Sequence, residues 1–152
     1  MRALRKEGLE FDRLAARLNK EGYRTRKGTA WHQPWADLIV DGIRDIENRT
    51  WPTKFRGVVL IHASKKVERT EVKRYRRELG LDTNDDYKPT TGAIIGKAEI
   101  FDCLTHHRSR FFKGPYGFVL KNARRISRPI PLRGLLGIFR VPKSLVAGRR
   151  FR

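Results

Sequence analysis

The segment GIRDIENRTWPTKFRGVVLIHAS, residues 42–64, carries the strongest indication of the fold. Glu47, Arg49 and Trp51 stand at every second position in its first half, which predicts a strand over 45–51 with these side chains on one face. A core strand would be apolar, so an acid, bases and an indole in alternation indicate a surface. We expect that surface to stack on a flat group and to neutralise an anionic one.

The elements around this segment do not follow a regular βαβ order. Apolar runs and amphipathic stretches predict strands over 57–63, 92–104, 116–121 and 136–141, and helices over 35–41 and 67–79. Gly96 in the long central strand indicates a bulge. Five or so short strands with two or three helices predict an α+β fold, in which a small, curled, mixed sheet or barrel has flanking helices.

The charge of the chain indicates an anionic partner. The 152 residues carry a formal net charge of +19, and 39% of them are hydrophobic, which is enough for the core of one ordinary domain. Residues 105–152 hold thirteen Lys and Arg and no Asp or Glu. Nucleic acid is the first candidate partner, and an anionic membrane surface is the alternative.

Several classes of protein are disfavoured by the sequence. It has no apolar run long enough to span a membrane and no signal peptide, so we expect a cytoplasmic protein without membrane association. It also has no Gly-rich nucleotide-binding loop and no serine hydrolase motif.

Cys103 lies in an apolar strand pattern and is expected to be an inert core thiol. His62 is expected to be a hydrogen-bonded core histidine, and His106 and His107 lack metal-ligand spacing. We expect no metal, no cofactor, and a monomer or weak oligomer.

Three segments are expected along the chain. Residues 1–30 form a basic helical appendage, in which apolar side chains recur at helix spacing. Residues 31–142 form the main domain. Residues 143–152 form a basic C-terminal tail, which we expect either to be frayed or to fold back over the binding cleft.

Three candidate site residues have a structural alternative. Gln33 and Trp35, in the motif HQPW, offer a donor with an acceptor and a flat face. Equally, Gln33 can cap the following helix and Trp35 can be part of the core. Glu47 can accept a hydrogen bond from a base amino group, or it can pair with Arg49 and hold that guanidinium in place.

The other candidate residues are bases and one threonine. Arginine and lysine neutralise phosphates, and arginine also stacks on bases. Those near the strand over 45–51 are Arg44, Thr53, Lys54 and Arg56. Those that follow the next strand or lie in the acid-free C-terminal third are Lys65, Lys66, Arg124, Arg125, Arg128 and Arg133.

Over roughly residues 30–142 the chain strongly resembles the ASCH domain family. The matching elements, in order, are HQPWADLIVDG, DIENRTWPTKFRGVVLIHAS, TGAIIGKAEIFDC, FFKGPYGFVL and RPIPLRGLLGIFRVP. ASCH domains belong to the PUA-like superfamily. The resemblance therefore implies a small β-barrel with flanking helices and a cleft that handles RNA or a modified base. It implies cleft residues among Gln33, Arg44, Glu47, Arg49 and Trp51.

One departure from the family pattern concerns catalysis. Some small ASCH-like proteins are acetylcytidine amidohydrolases, which use a lysine, a nearby threonine and a glutamate. This chain has Arg44 at the lysine position and Glu47 at the threonine position. Arginine stays protonated at neutral pH and is a poor nucleophile or base, so that mechanism is not supported.

The N-terminal segment FDRLAARLNKEGYRTRKGTAW, residues 11–31, is similar to the helix-turn region of large serine recombinases. The similarity implies an appended DNA-contacting helix pair, or it reflects a common helix–glycine–basic pattern. No catalytic serine domain is present, so recombinase chemistry does not follow. A DNA-binding accessory protein whose specificity lies in residues 1–31 is a further hypothesis.

These observations predict a nucleic-acid-binding module. We expect it to bind single-stranded or locally opened RNA or DNA through a basic cleft with aromatic base stacking, because a stacked base must be accessible. The alternative is a hydrolase acting on a modified nucleoside or nucleic acid, with Glu47 as acid or base. That alternative needs a glutamate that exchanges a proton in a dry cleft, and neighbouring arginines favour the ionised carboxylate.

Overall fold

The computed structural model describes residues 31–80, 88–135 and 137–152, so the expectations for residues 1–30 lie outside it. The elements are β1 (Trp31–Gln33), α1 (Trp35–Val40), β2 (Ile46–Arg49), β3 (Gly57–Val67), α2 (Arg69–Glu78), β4 (Ala93–Leu104), β5 (Tyr116–Pro131) and α3 (Lys143–Val146). One five-stranded sheet has the order β1-β3-β4-β5-β2. Only β1 and β3 are parallel within it, so the predicted mixed sheet and α+β class are confirmed.

The main core lies where α1 packs across the sheet, against β1, β3, β4 and β5. Ala36, Ile39 and Val40 of α1 pack there with apolar side chains of β3, β4 and β5. Gly42, at φ +74°, follows the helix and takes the left-handed conformation that glycine adopts without strain. The sequence pattern that predicted this helix and its end is therefore confirmed.

Close approach between α1 and the sheet depends on Gly96 of β4. A Cβ atom at this position would collide with the Val40 side chain and with the carbonyl oxygen of Arg124. The ladder between β4 and β5 also shifts register between Ile94 and Gly96. The ladder with β3 has one extra residue of β4 between Ile94 and Gly96, so the predicted bulge is confirmed. The contact with α1 explains why this position is a glycine.

The open surface predicted along β2 is wrong, since this strand is buried. Ile46, Glu47 and Arg49 are all buried, and Asn48 is half-buried. Trp51 lies beyond the strand, which ends at Arg49. Polar alternation indicated a ligand-binding surface, but the charged side chains of β2 pair with one another inside the protein.

Most of the other predicted elements are confirmed, while the C-terminal ones differ. The predicted strand over 136–141 is wrong for its described residues 137–141, which are not in a strand. Gly137 adopts φ +75° there, and Ile138 and Val141 pack on the core without backbone pairing. Conversely, β5 continues to Pro131, ten residues beyond its predicted end at 121.

Residues 143–152 are not frayed, because they fold back on β5. Phe151 forms a β-bridge with Ile126, and the short helix α3 precedes it. Phe151 also packs in a cluster with Ile126 and the side chains of Leu145 and Val146. The tail therefore occupies an edge of β5 over residues 125–127.

The buried His62 has a structural role. Its Nε2 lies 2.7 Å from the carbonyl oxygen of Leu132, and its ring packs closely against Gly134. This confirms the interpretation as a hydrogen-bonded core histidine.

Cys103 is a free thiol that is only partly buried against the core. Within residues 31–80, 88–135 and 137–152, no helix has the length and apolar character needed to cross a membrane.

We expect Gly96→Ala to destabilise the protein by about 1–3 kcal/mol, because overpacking a close contact forces backbone and side-chain shifts. Val40→Ala removes the γ-methyl group that the new methyl group would meet, although the contact with the carbonyl oxygen of Arg124 remains. In chemical denaturation, the double variant should therefore lose less free energy of unfolding than the sum of the two single variants. Strict additivity, or a neutral Gly96→Ala, would contradict this account.

Candidate functional site

Three charged side chains of the predicted site form one buried network at β2. Glu47 Oε2 lies 3.3 Å from Arg44 Nη2, and Glu47 Oε1 lies 3.3 Å from Arg49 Nη2. The side chains of Arg44, Glu47 and Arg49 are 9%, 8% and 6% exposed. Two guanidinium groups and one carboxylate give the network one excess positive charge. Pairing of Glu47 with Arg49, one of its two predicted roles, is thus observed.

Arg44 links this network to the helices. Its Nε donates to the carbonyl oxygen of Ile46 at 2.7 Å, and its guanidinium lies 4.7 Å from the ring centroid of Trp35. Trp35 is half-buried and meets Tyr75 of α2 edge to face, with 5.2 Å between ring centroids. Arginine over an indole is a favourable cation–π arrangement. Trp35 therefore serves the packing of α1 against α2 as well as the position of Arg44.

Gln33 is fully buried, and both ends of its amide are bonded within the protein. Its Oε1 accepts from the backbone N–H of Asp37 at 3.2 Å, and its Nε2 donates to the carbonyl oxygen of Thr90 at 2.7 Å. The first contact satisfies a donor in the first turn of α1, which is the capping role considered for this residue. Gln33 thus connects α1 to the segment before β4.

The segment after β2 runs alongside the end of β4. Thr53 donates its backbone N–H to Cys103 Sγ at 3.5 Å, and Arg56 Nη2 contacts Asp102 Oδ1 at 2.8 Å. Trp51 is half-buried and meets Phe118 edge to face, at 5.2 Å between ring centroids. Thr53 itself is buried, whereas Lys54 and Arg56 are exposed. This segment consequently presents part of an indole and two cationic side chains to solvent.

The sequence analysis missed the loop 105–115, which joins β4 to β5 and lies beside β2. Asn48 Nδ2 donates to the carbonyl oxygen of Phe111 at 2.8 Å, and Asn48 Oδ1 accepts from the N–H of Lys113 at 2.7 Å. Ser109 Oγ also donates to Asp45 Oδ1 at 2.5 Å. Asn48 thereby holds the loop against β2; its exposed basic side chains are Arg108, Arg110 and Lys113, and Arg110 also lies 3.7 Å from Glu78 of α2. Their basic character was visible in the sequence, but their position was not.

The other predicted basic residues lie on other parts of the fold. Lys65 and Lys66 are exposed near the end of β3, where Lys66 pairs with Glu68. Arg124, Arg128 and Arg133 are exposed on or after the distal half of β5. The structure therefore does not bring these residues to the network at β2.

Arg125 of β5 is bound internally. Its Nε and Nη2 contact Asp41 and Asp37 of the α1 region, each at 2.8 Å. Hydrogen bonds from Arg125 to Asp41 and then to Asp37 raise the pKa of Arg125 above its ordinary value, although partial burial opposes them. Arg125 thus fastens α1 to β5. Across the described ranges no group of three His, Cys, Asp or Glu side chains is placed to hold a metal ion.

We expect Asn48→Ala to lower the free energy of unfolding by about 1–3 kcal/mol, because a partly buried donor and acceptor would lose their partners. Amide exchange at Lys113 should increase, since its N–H bonds to Asn48 Oδ1. Thr50→Ala, at an exposed position beside β2, is the control and should change neither measurement. Unchanged exchange at Lys113 would show that the loop is held by other contacts.

Comparison with known proteins assigns the fold to a family. The sequence model of the ASCH domain matches residues 30–130. Human activating signal cointegrator 1 is 28% identical over an alignment of 162 residues. The alignment covers 94% of this chain and 28% of that protein. For activating signal cointegrator 1 of the mouse, the identity is 27% over 144 residues, 86% of this chain and 25% of that protein. The chain therefore spans about a quarter of the length of these curated relatives. Because the domain match covers about two thirds of its residues, the chain belongs to the ASCH domain family.

Proposed function

We propose that this ASCH domain binds single-stranded or locally opened nucleic acid. The surface that we assign to this function, the β2 surface, consists of Trp51, Lys54, Arg56 and the loop 105–115. RNA and DNA are equally suited to it. The observation that carries the proposal is a half-buried indole close in sequence to the exposed cations Lys54 and Arg56, in a chain whose formal net charge is +19.

Trp51 is the residue assigned to base stacking. The Phe118 contact fixes the indole, while the part that remains exposed can meet the face of a base. Stacking of a base on an aromatic side chain contributes about 1–3 kcal/mol in single-strand binders. An indole that is already held by the core loses little side-chain freedom on binding, which favours affinity.

Phosphate neutralisation falls to the exposed cations of the same surface. Lys54 is exposed directly after Thr53, and the loop 105–115 supplies Arg108 and Lys113. Arg56 is already engaged with Asp102, so its contribution is shared with that ion pair. Binding through such groups releases counterions and weakens steeply as salt concentration rises.

The buried network of Arg44, Glu47 and Arg49 is assigned a supporting role. Arg44, Glu47 and Arg49 are less than a tenth exposed, so we assign them to positioning β2 and to the local positive potential. The relatives are named for cointegration of an activating signal. Since this chain matches about a quarter of those proteins, their function as whole proteins is not transferred to it.

We expect Trp51→Leu to weaken binding to single-stranded RNA and DNA by about 1–3 kcal/mol, with a smaller loss on duplex DNA. Leucine keeps an apolar side chain against Phe118 but removes the flat indole. Fluorescence anisotropy with labelled oligonucleotides over a salt series measures both affinity and salt dependence. Val58→Ala, which trims an exposed apolar side chain on β3, is the control and should bind as the wild type does.

Equal binding of Trp51→Leu and the wild type to every ligand would overturn the stacking proposal. A loss of the same size on single-stranded and duplex ligands would show that the change alters the fold or the charge and not base contact. Thermal unfolding of each variant separates these two explanations.

A hydrolase with Glu47 as acid or base is the second candidate function. The observation in its favour is that Glu47 Oε2 is buried and accepts no hydrogen bond from the described residues. Against it stand the two guanidinium groups, each 3.3 Å from a carboxylate oxygen. Such an arrangement suits an ion pair that holds two arginines.

We expect Glu47→Gln to destabilise the protein by about 3–5 kcal/mol, because removal of one partner leaves buried charges uncompensated. The ion-pair role also predicts that wild-type protein releases no acetate from acetylcytidine, measured by chromatography. Acetate release that Glu47→Gln abolishes in the folded protein would favour the hydrolase.

A further inference from the structure

The C-terminal tail continues the sheet next to β5. Ser127 donates its N–H to the carbonyl oxygen of Arg150 at 3.0 Å, and Arg152 donates to the carbonyl oxygen of Arg125 at 2.7 Å. The bridge between Ile126 and Phe151 lies between these two bonds. Together they define a short antiparallel pairing of residues 150–152 with residues 125–127.

One aromatic side chain anchors this pairing. Phe151 is partly buried in the cluster built on Ile94, Ile126 and Ile130. Lys97 Nζ lies 4.6 Å from the centroid of its ring. Because side chains alternate across a strand, Phe151 points into this cluster while Arg150 and Arg152 point away from it.

The pairing gathers positive charge along one edge of the molecule. The exposed arginines at this edge are Arg124, Arg128, Arg149, Arg150 and Arg152. None of them has an acidic partner among residues 31–80, 88–135 and 137–152. Asp37 and Asp41, the acids bonded to β5 in this region, are engaged by Arg125.

In this pairing Arg152 lies opposite Arg125, and like charges opposite each other destabilise a pairing. Asp37 and Asp41 reduce that cost at Arg125, and the burial of Phe151 offsets it further. A polyanion laid along this edge lowers the repulsion that remains and favours the docked tail. Because side chains alternate across a strand, Arg124 lies on the face of Ile126 and Phe151, and the docked tail adds Arg150 and Arg152 on the other face. Docking and anion binding therefore reinforce each other.

We propose that the edge formed by β5 and the docked tail is a second, phosphodiester-binding surface for nucleic acid, and that its geometry requires Phe151. We call it the tail edge; it consists of Arg124, Arg128 and residues 149–152. This inference rests on the proposed function, since it assigns to the same class of ligand a separate contact with the backbone. Its one aromatic side chain, Phe151, is engaged in the cluster with Ile126 and Ile130, so the edge acts through its charges and adds affinity that is independent of sequence.

Two variants and a matched control test the tail edge in the full chain. Phe151→Ala keeps every charge but removes the anchor. Arg150→Gln with Arg152→Gln keeps the anchor but removes two charges. Arg69→Gln with Arg77→Gln removes two exposed charges from α2 instead, which leaves the same net charge as the tail variant.

We expect both tail variants to lose about tenfold in affinity for a labelled oligothymidylate at low salt, while the α2 control changes much less. Removal of two phosphate contacts should also reduce the slope of log affinity against log salt by about 1.4 for a single strand. In the wild type, addition of the oligonucleotide should slow amide exchange at Ser127 and Arg152, whose N–H groups bond the tail to β5.

Other outcomes overturn the proposal in distinguishable ways. If Phe151→Ala binds as the wild type does, the arginines act as a flexible polycation and no built surface exists. If the α2 control loses as much as the tail variant, only net charge matters. Binding to vesicles of anionic lipid that is as tight as binding to the oligonucleotide, and equally sensitive to Phe151→Ala, would assign the edge to a membrane surface.

The same titrations separate this inference from the proposed function. If the wild type binds no nucleic acid, both proposals fail. If the wild type binds and Trp51→Leu weakens binding while the tail variants do not, the tail edge alone fails. Circular dichroism of Phe151→Ala confirms that the domain remains folded in each comparison.

Discussion

A carboxylate buried between two guanidinium groups is the constraint on which the functional side of this fold depends. Glu47 contacts Arg44 and Arg49, and all three side chains are almost fully removed from water. Buried charges are tolerated only when each has a partner in good geometry, so these residues cannot be repositioned separately. The backbone of β2 must therefore stay where both ion pairs can form. Asn48, between Glu47 and Arg49, then holds the loop 105–115 against the same strand. The excess positive charge and the basic loop are fixed in one place by one short strand.

That strand is itself positioned by α1. The backbone N–H groups of Ile43 and Arg44 both donate to the carbonyl oxygen of Leu38, at 2.9 Å each. The turn after the helix therefore fixes the position of the Arg44 backbone. How closely α1 approaches β4 depends in turn on the absence of a side chain at Gly96. A contact in the middle of β4 is thus connected to the charge network at the sheet edge. Because α1 sits on the sheet as a packed unit, a shift of the helix would disturb Arg44 and Trp35 together.

Much of the fold could be predicted from the sequence, because its strands and helices have clear periodicity. β3, β4, α1 and α2 follow patterns that local chemistry determines. The failures share a different cause. Residues 137–141 carry a strand pattern but form no strand, whereas residues 150–152 pair with β5 although no local pattern marks them. Likewise Glu47 and Arg49 alternate as exposed residues do. Only the folded structure shows that they are buried and paired with each other. The bond from Asn48 to the loop also has no local signal, since the residue that it binds there is more than sixty positions away.

The formal charge indicates the class of partner but not the residues that meet it. Arg44 and Arg49 are enclosed with Glu47, and Arg125 is engaged by Asp37 and Asp41, so these arginines shape the protein. Two groups of exposed cations, the β2 surface and the tail edge, adjoin different parts of β5, near residues 116–119 and 125–127. About nine residues of strand separate the centres of these two parts, or roughly 30 Å at about 3.3 Å per residue. A nucleic acid that reaches both places must follow the sheet along β5, and one too short to do so should contact only one. Site size, in addition to sequence, would then determine affinity for this domain.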